Sequence, residues 1–343
     1  MKKLIAAAVA TSVSAIAFAD VSITGNANYE YFHKEDSGYN TNYADTEINL
    51  SVKGKSGDTQ VVANFEVTNH GSAASTSSAA LDVEDTYMTT KIGDINVKAG
   101  NFASGTTALG GEIDQGGRAT NKLDLSTTIG QAKVGYAQTF GQSATDADGT
   151  DSAAIYASMP IGGINFAVKE QSDSYTIMGA SGEMGGVKFR VEQKDNDSST
   201  TGDILFYALD AKFGDIDLQY AAIDADKVGS GATNDPVTEG DSAIFAQEMA
   251  TDSDSSGKAN VDGVYQIAAS TVVDGTKLTL KVGELTGGAG YQDAGFSRVE
   301  AKRALAGGAT LTVSYDDYED TGVATSGTMS DTQLLEVDLS VKF

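Results

Sequence analysis

Apolar and polar residues alternate with a period of two along most of the chain. Across Val21–Phe32 the odd positions Val21, Ile23, Gly25, Ala27, Tyr29 and Tyr31 form one series. The even positions Ser22, Thr24, Asn26, Asn28, Glu30 and Phe32 form another that is mostly polar. Side chains of a strand point alternately to its two faces, so this pattern predicts a strand with a different solvent on each side. The same alternation sets Ile48, Leu50 and Val52 against Glu47, Asn49, Ser51 and Lys53. It sets Val61, Ala63, Phe65 and Val67 against Gln60, Asn64, Glu66 and Thr68. It recurs at Val187–Glu192, at Lys277–Val282, and at the end of the chain, where Leu335, Val337, Leu339, Val341 and Phe343 oppose Glu336, Asp338, Ser340 and Lys342.

The connections carry a second pattern. Short Gly/Asp turns are expected at Gly54–Asp58, Gly93-Asp94, Gly130-Gln131, Pro160–Gly163, Gly185-Gly186, Gly214-Asp215, Asp274-Gly275 and Gly307-Gly308. Between them fall mostly longer polar stretches: 34–42, 70–82, 101–120, 141–150, 195–200, 224–259, 287–294 and 319–330, with one short member at Gln171–Ser174. Short turns at one end and long loops at the other are the layout of a transmembrane β-barrel. Eight turns and nine upper connections join 18 strands, and one hairpin fewer within 160–190 would leave 16. The expected fold is therefore all-β: a closed antiparallel transmembrane barrel of 16–18 strands, 18 by turn count. Closure also satisfies the backbone, because hydrocarbon offers no partner to an open sheet edge. A soluble sheet with one dry face is the alternative for any single strand, but it accounts poorly for so many behind an export signal.

That signal is Met1–Ala19. Lys2 and Lys3 precede an apolar stretch, and Ala17-Phe18-Ala19 supplies a small-x-small cleavage site before Asp20. These features predict a secretory signal peptide, residues 1–19, ahead of a barrel domain at 20–343. Thr11, Ser12 and Ser14 interrupt the stretch, which falls short of the ~20 apolar residues of a spanning helix.

Composition narrows the chemistry. The 343 residues include 23 basic and 48 acidic side chains, a net charge of −25. Cleavage would remove two lysines and no acid, leaving −27. Such an excess opposes nucleic-acid binding, which needs a basic face. The absence of Cys excludes disulfides and thiol chemistry, and the two histidines, His33 and His70, make His-based catalysis or metal binding unpromising. No cofactor and no enzymatic activity are expected. Asp252, Asp254 and Gly257 resemble the start of a Ca²⁺ loop, but its twelfth position is Gly263 and not Glu. Asp146, Asp148 and Asp151 form a similar acidic loop, so opportunistic Ca²⁺ binding is the most these segments suggest.

Three segments resemble the general porins of Gram-negative bacteria: the opening strand VSITGNANYEYF, the ending LLEVDLSVKF, and KIGDINVKAGN (Lys91–Asn101) ahead of a Gly-rich loop. Phe343, with Val341, Leu339 and Val337 at alternate preceding positions, looks like the signal read by the barrel-assembly machinery. The resemblance implies a homotrimer of 16-stranded barrels embedded in outer-membrane lipid and lipopolysaccharide. It also implies passive diffusion of small hydrophilic solutes past an inward-folded third loop. Where the family carries Arg at the end of the third segment, this chain has Asn101.

Any working part is then a water-filled constriction. The third loop, Asn101–Thr120, offers Glu112, Asp114 and Arg118 among five glycines, which let backbone lie close to a wall. An ordinary exposed loop is the competing reading. Strand parity nominates Lys53, Lys98, Lys133, Lys188, Arg190, Lys277, Lys281, Arg298 and Lys302 as basic lumen residues. It nominates Glu30, Glu47, Glu66, Asp124, Glu192, Asp217 and Glu300 as acidic ones. Charges of both signs would set a transverse field, with Glu112 and Asp114 facing Lys98, Lys133 or Arg190 and a weak cation preference. A substrate-specific channel is the alternative, although four Arg in the whole chain disfavour a phosphate-selective ladder. A barrel enzyme or an acidic adhesin fits less well.

Overall fold

A computed structural model of the chain describes residues 20–36, 39–70, 80–103, 118–140, 152–197, 202–225, 261–287, 293–319 and 331–343. The strands in chain order are β1 (Asp20–Asp36), β2 (Tyr39–Ser56), β3 (Thr59–His70), β4 (Ala80–Ile92), β5 (Ile95–Ala103) and β6 (Arg118–Ile129). Next come β7 (Ala132–Thr139), β8 (Ser152–Ile161), β9 (Ile164–Gln171), β10 (Tyr175–Met184), β11 (Val187–Asn196) and β12 (Ile204–Phe213). The last six are β13 (Ile216–Ala225), β14 (Val261–Val273), β15 (Thr276–Gly287), β16 (Ala294–Ala304), β17 (Ala309–Glu319) and β18 (Asp331–Lys342).

Each strand pairs antiparallel with its sequence neighbours, and β1 also pairs with β18 from Asn26–Lys342 to Glu35–Gln333. The sheet therefore closes on itself with 18 strands and no free edge. The 16 strands implied by the porin resemblance are thereby corrected: all three hairpins within 160–190 are real. The eight expected turns fall where the Gly/Asp signals lie. At Gly162-Gly163 and Gly185-Gly186 both residues have positive φ, the conformation whose twist matches paired strands. The expected loop at 34–42 is mostly strand, since β1 and β2 stay paired up to Asp36–Tyr39. Likewise Arg118 begins β6, opposite Ala103, and does not sit in a loop.

Burial is inverted relative to a soluble protein. Ile23 is 64 % exposed and Ile129 67 %, while Glu192 and Asp316 are fully buried. Apolar residues cover the outer wall, and the register places the charged residues on the inner face. Tyr29, Tyr136, Tyr207, Tyr220, Tyr265 and Tyr315 stand on the outer wall towards the loop end. Tyrosine there presents an apolar ring to lipid and a hydroxyl to the headgroup region. No described helix is long and apolar enough to cross a membrane, but the strands of such a barrel supply the crossing.

Two irregularities shape the inner face. Between β3 and β4, Asn64 pairs with Asp85 and Phe65 with Val83, so Glu84 is an extra residue. This bulge resets the alternation and puts both Asp82, opposite Glu66, and Asp85, opposite Asn64, on the inner wall. Between β5 and β6, Gly100 pairs with Lys122 but Phe102 with Ala119. Here the side-chain oxygen of Asn101 accepts the backbone N–H of Asn121 at 2.9 Å. Asn121 has a φ of 56°, so the residue standing in place of the porin Arg braces an irregular strand.

Candidate functional site

Acidic side chains predominate on one arc of the inner wall and basic ones on the rest. Six contiguous strands, β17, β18, β1, β2, β3 and β4, carry Asp316, Glu336, Asp338, Glu30, Asp45, Glu47, Glu66, Asp82 and Asp85. The basic groups lie on the rest of the circumference: Lys98 and Lys122 on β5 and β6, Lys133 on β7, Lys169 on β9, Lys188, Arg190 and Lys194 on β11. Lys277 and Lys281 follow on β15, then Arg298 and Lys302 on β16. Asp124, Glu183, Glu192, Asp210, Asp217 and Glu300 are interspersed in the basic arc, and Lys34, Lys53, Lys55, Lys91 and Lys342 stand among the acidic strands, most of them near the short-turn end.

Several like charges stand directly opposite each other across strands. Glu30 lies between Asp338 and Asp45. Lys281 faces Arg298, and Lys277 faces Lys302. Such pairs cost a few tenths of a kcal/mol or more each relative to neutral ones, so these positions do not serve stability.

The arcs meet at two places, in different ways. Between β16 and β18 they meet through Arg298, which is 7 % exposed. Its Nη1 lies 3.5 Å from Asp316 Oδ2, and its Nη2 lies 3.3 Å from Glu336 Oε2. Nη2 also donates to Ser314 Oγ at 2.9 Å, and Nε lies 3.9 Å from Glu300. Guanidinium presents its donors in a fixed planar fork, which suits it to hold several carboxylates at once. Between β4 and β6 the arcs meet through aromatic rings. Lys98 Nζ sits 4.1 Å from the Tyr87 ring centroid and 4.0 Å from that of Phe102. The two rings pack edge to face at 5.8 Å. Tyr156 reaches across β7 and donates its hydroxyl to Asp124 Oδ1 at 2.8 Å.

Opposite the acidic arc, Lys169 Nζ donates to Tyr175 Oη at 3.0 Å, and Lys194 Nζ lies 4.6 Å from the same ring. The Arg190 guanidinium stacks 4.9 Å from the fully buried Phe206. These contacts hold long cationic side chains along the wall and keep them from extending freely into water.

Of the residues singled out in the sequence, Lys98, Lys133, Arg190 and Glu66 all stand on the inner wall, as do the other parity-nominated charges. Lys98 and Lys133 lie on the same side, while Glu66 belongs to the opposite arc. Val337, Leu339 and Val341 face outward, and Phe343 continues their series, exchanging backbone hydrogen bonds with Gly25. Glu112 and Asp114, the side chain of Arg118, the signal segment 1–19 and both acidic loops at 146–151 and 252–260 lie outside the described residues. His33 sits on the outer wall with Asn42 and Glu35 as neighbours.

Sequence reasoning missed Lys122, Lys169, Lys194 and Asp316, together with the aromatic partners Tyr87, Phe102 and Tyr156. Parity held the signal for Lys169 and Lys194: Phe166 and Val168 point outward, and Lys194 continues the series Lys188, Arg190, Glu192.

No family model and no curated protein matches the chain. Among the solved structures it is similar to are three Pseudomonas aeruginosa proteins. OpdL shares 11 % identity over 95 % of this chain and 99 % of its own, with a TM-score of 0.62. The outer membrane protein OpdK shares 10 % over 95 % and 100 %, with a TM-score of 0.63. OccK2 (OpdF) shares 13 % over 95 % and 99 %, with a TM-score of 0.58. At these identities the likeness establishes the fold, a barrel of the outer-membrane type, over nearly the whole chain.

Proposed function

We propose that this barrel is an outer-membrane channel that selects among small hydrophilic solutes by their charge distribution, and is not an indifferent diffusion pore. The observation that carries this reading is the predominance of acidic side chains on one arc of the lumen and of basic ones on the facing arc. Low-dielectric walls focus the field between such arcs. A solute carrying both charges gains by aligning with that field, whereas a neutral solute must displace oriented water without compensation. The fold shared with an outer-membrane protein such as OpdK supports the location, and the lumen charges support the selectivity.

The preference between simple ions is weak and favours cations. The charge excess of the chain is acidic, but salt screens it beyond about 8 Å at physiological ionic strength. Only groups at the narrowest level therefore act fully. The experiment is the conductance of the purified protein in a planar bilayer, with the reversal potential across a KCl gradient. Stepwise conductance with a slight cation preference is expected, and Glu112→Gln/Asp114→Asn should weaken that preference. A protein that inserts without conducting would overturn the channel reading. A chloride preference would overturn the sign.

A further inference from the structure

The two junctions between the arcs differ in a way that ion pairing alone does not explain. At Arg298 the opposite charges are joined. At Lys98 they are kept apart, although the register places Lys98 directly opposite Asp124 on the same inner face. Among the described residues no carboxylate lies within ion-pair distance of the Lys98 ammonium. Its close contacts are the faces of Tyr87 and Phe102, while Asp85 and Asp124 act on it only through space. Asp124, its natural partner, is engaged by the Tyr156 hydroxyl at 2.8 Å.

The backbone is shaped to permit this. Tyr156 lies flat across β7 because the residue beneath it is Gly135, where a Cβ would collide with the ring. Phe102 reaches Lys98 because Gly100, at a φ of 133°, lets β5 approach Thr86 and Tyr87 more closely than any side chain would allow. Lys122, on the far side, lies 5.6 Å from the Phe102 ring and adds no negative charge.

We propose that Tyr87, Phe102 and Tyr156 are positioning residues for selectivity: they hold Lys98 and Asp124 apart, so that Lys98, without an ion-pair partner among the described residues, presents a fixed ammonium to the anionic group of a passing solute. This rests on the channel reading above. An ammonium neutralised by Asp124 would contribute little field to the lumen. An ammonium over ring faces keeps its full charge, because a quadrupole attracts a cation without cancelling it. The recognised chemistry is an oxyanion or halide moving along the lysine-bearing wall.

The test uses chloride as the anion and the reversal potential in a KCl gradient as the readout. Lys98→Gln should shift the potential towards cation selectivity. Tyr156→Phe, which removes one oxygen atom and frees Asp124, should shift it in the same direction. So should Tyr87→Leu, which removes one wall of the cage. Lys98→Gln/Tyr156→Phe should match Lys98→Gln alone, because both changes silence the same charge. Tyr156→Phe/Asp124→Asn should return towards the wild-type value. A Tyr156→Phe channel with the wild-type potential, beside a shifted Lys98→Gln channel, would overturn the positioning role. An unshifted Lys98→Gln channel would overturn the proposal entirely. A wild-type protein without conductance would instead reject the channel reading, and so separates the two failures.

Discussion

Phe343 and Gly25 exchange both of their backbone hydrogen bonds, the Gly25 amide to the Phe343 carbonyl at 2.8 Å and the Phe343 amide to the Gly25 carbonyl at 2.9 Å. Through this pair, β18 is pinned to β1 one residue beyond the register that begins at Asn26–Lys342. The Phe343 ring lies over Gly25, where a Cβ would come within 2.5 Å of the Asn49 carbonyl oxygen and 2.9 Å of Phe343 Cζ. The ring also remains 59 % exposed on the outer wall, where lipid would cover it. Deleting Phe343 should therefore lower the yield of folded barrel without preventing export. Gly25→Val should weaken closure by about 1–3 kcal/mol, as for other overpacked sites. Heat-modified electrophoretic mobility of the detergent-solubilised protein reads both effects. An unchanged unfolding temperature for Gly25→Val would count against close packing at this seam.

The alternation of faces can be read chemically. Cysteines placed at Ile23 or Val337 should resist a membrane-impermeant thiol reagent, because both residues point to lipid. Cysteines at Asn26 or Ser340, on the inner wall of the same two strands, should react. The chain has no Cys of its own, so each variant reports one site. Equal reactivity on both faces would contradict the register of β1 and β18.

Arg298 holds the third prediction. It bridges Asp316, which is fully buried, to Glu336 and Ser314. Removing one partner of a buried ion pair typically costs 3–5 kcal/mol, because it strands the other charge. Arg298→Met should therefore destabilise the barrel by about that much, and Asp316→Asn in the same chain should recover part of the loss. Guanidinium unfolding in detergent measures it. A loss no larger than the roughly 1 kcal/mol of an exposed pair would show that water reaches Asp316.

Much of this architecture was legible in the sequence, for identifiable reasons. Turns such as Gly185-Gly186 and Asp274-Gly275 announce themselves, because few other residues accept positive φ in succession. Strand faces were legible wherever polar and apolar residues alternate without interruption, which is why Lys188, Arg190 and Glu192 are read correctly from Val187, Phe189 and Val191. Parity counting fails where a bulge resets it. Asp82 and Asp85 are an odd number of residues apart yet share the inner wall, and only the pairing with β3 reveals this. The aromatic junction was not legible at all. Tyr156 meets Asp124 from two strands away, and Phe102 meets Lys98 through a strand bent at Gly100. Those contacts depend on side-chain reach across the sheet, which no local pattern encodes. The alternation and the turn–loop layout supplied the barrel and its 18 strands, while the strand number of the porin resemblance did not transfer, because the hairpins at 160–190 are each complete.

The account stands or falls on the field between the two arcs, and solute permeation tests it most directly. Proteoliposomes containing the purified chain should swell faster in a small zwitterionic solute than in a neutral polyol of the same size. That advantage should shrink as ionic strength rises and the screening length falls from about 10 Å at 0.1 M to about 3 Å at 1 M. Equal rates for the two solutes at low salt, or an advantage that salt leaves unchanged, would contradict selection by the lumen charges.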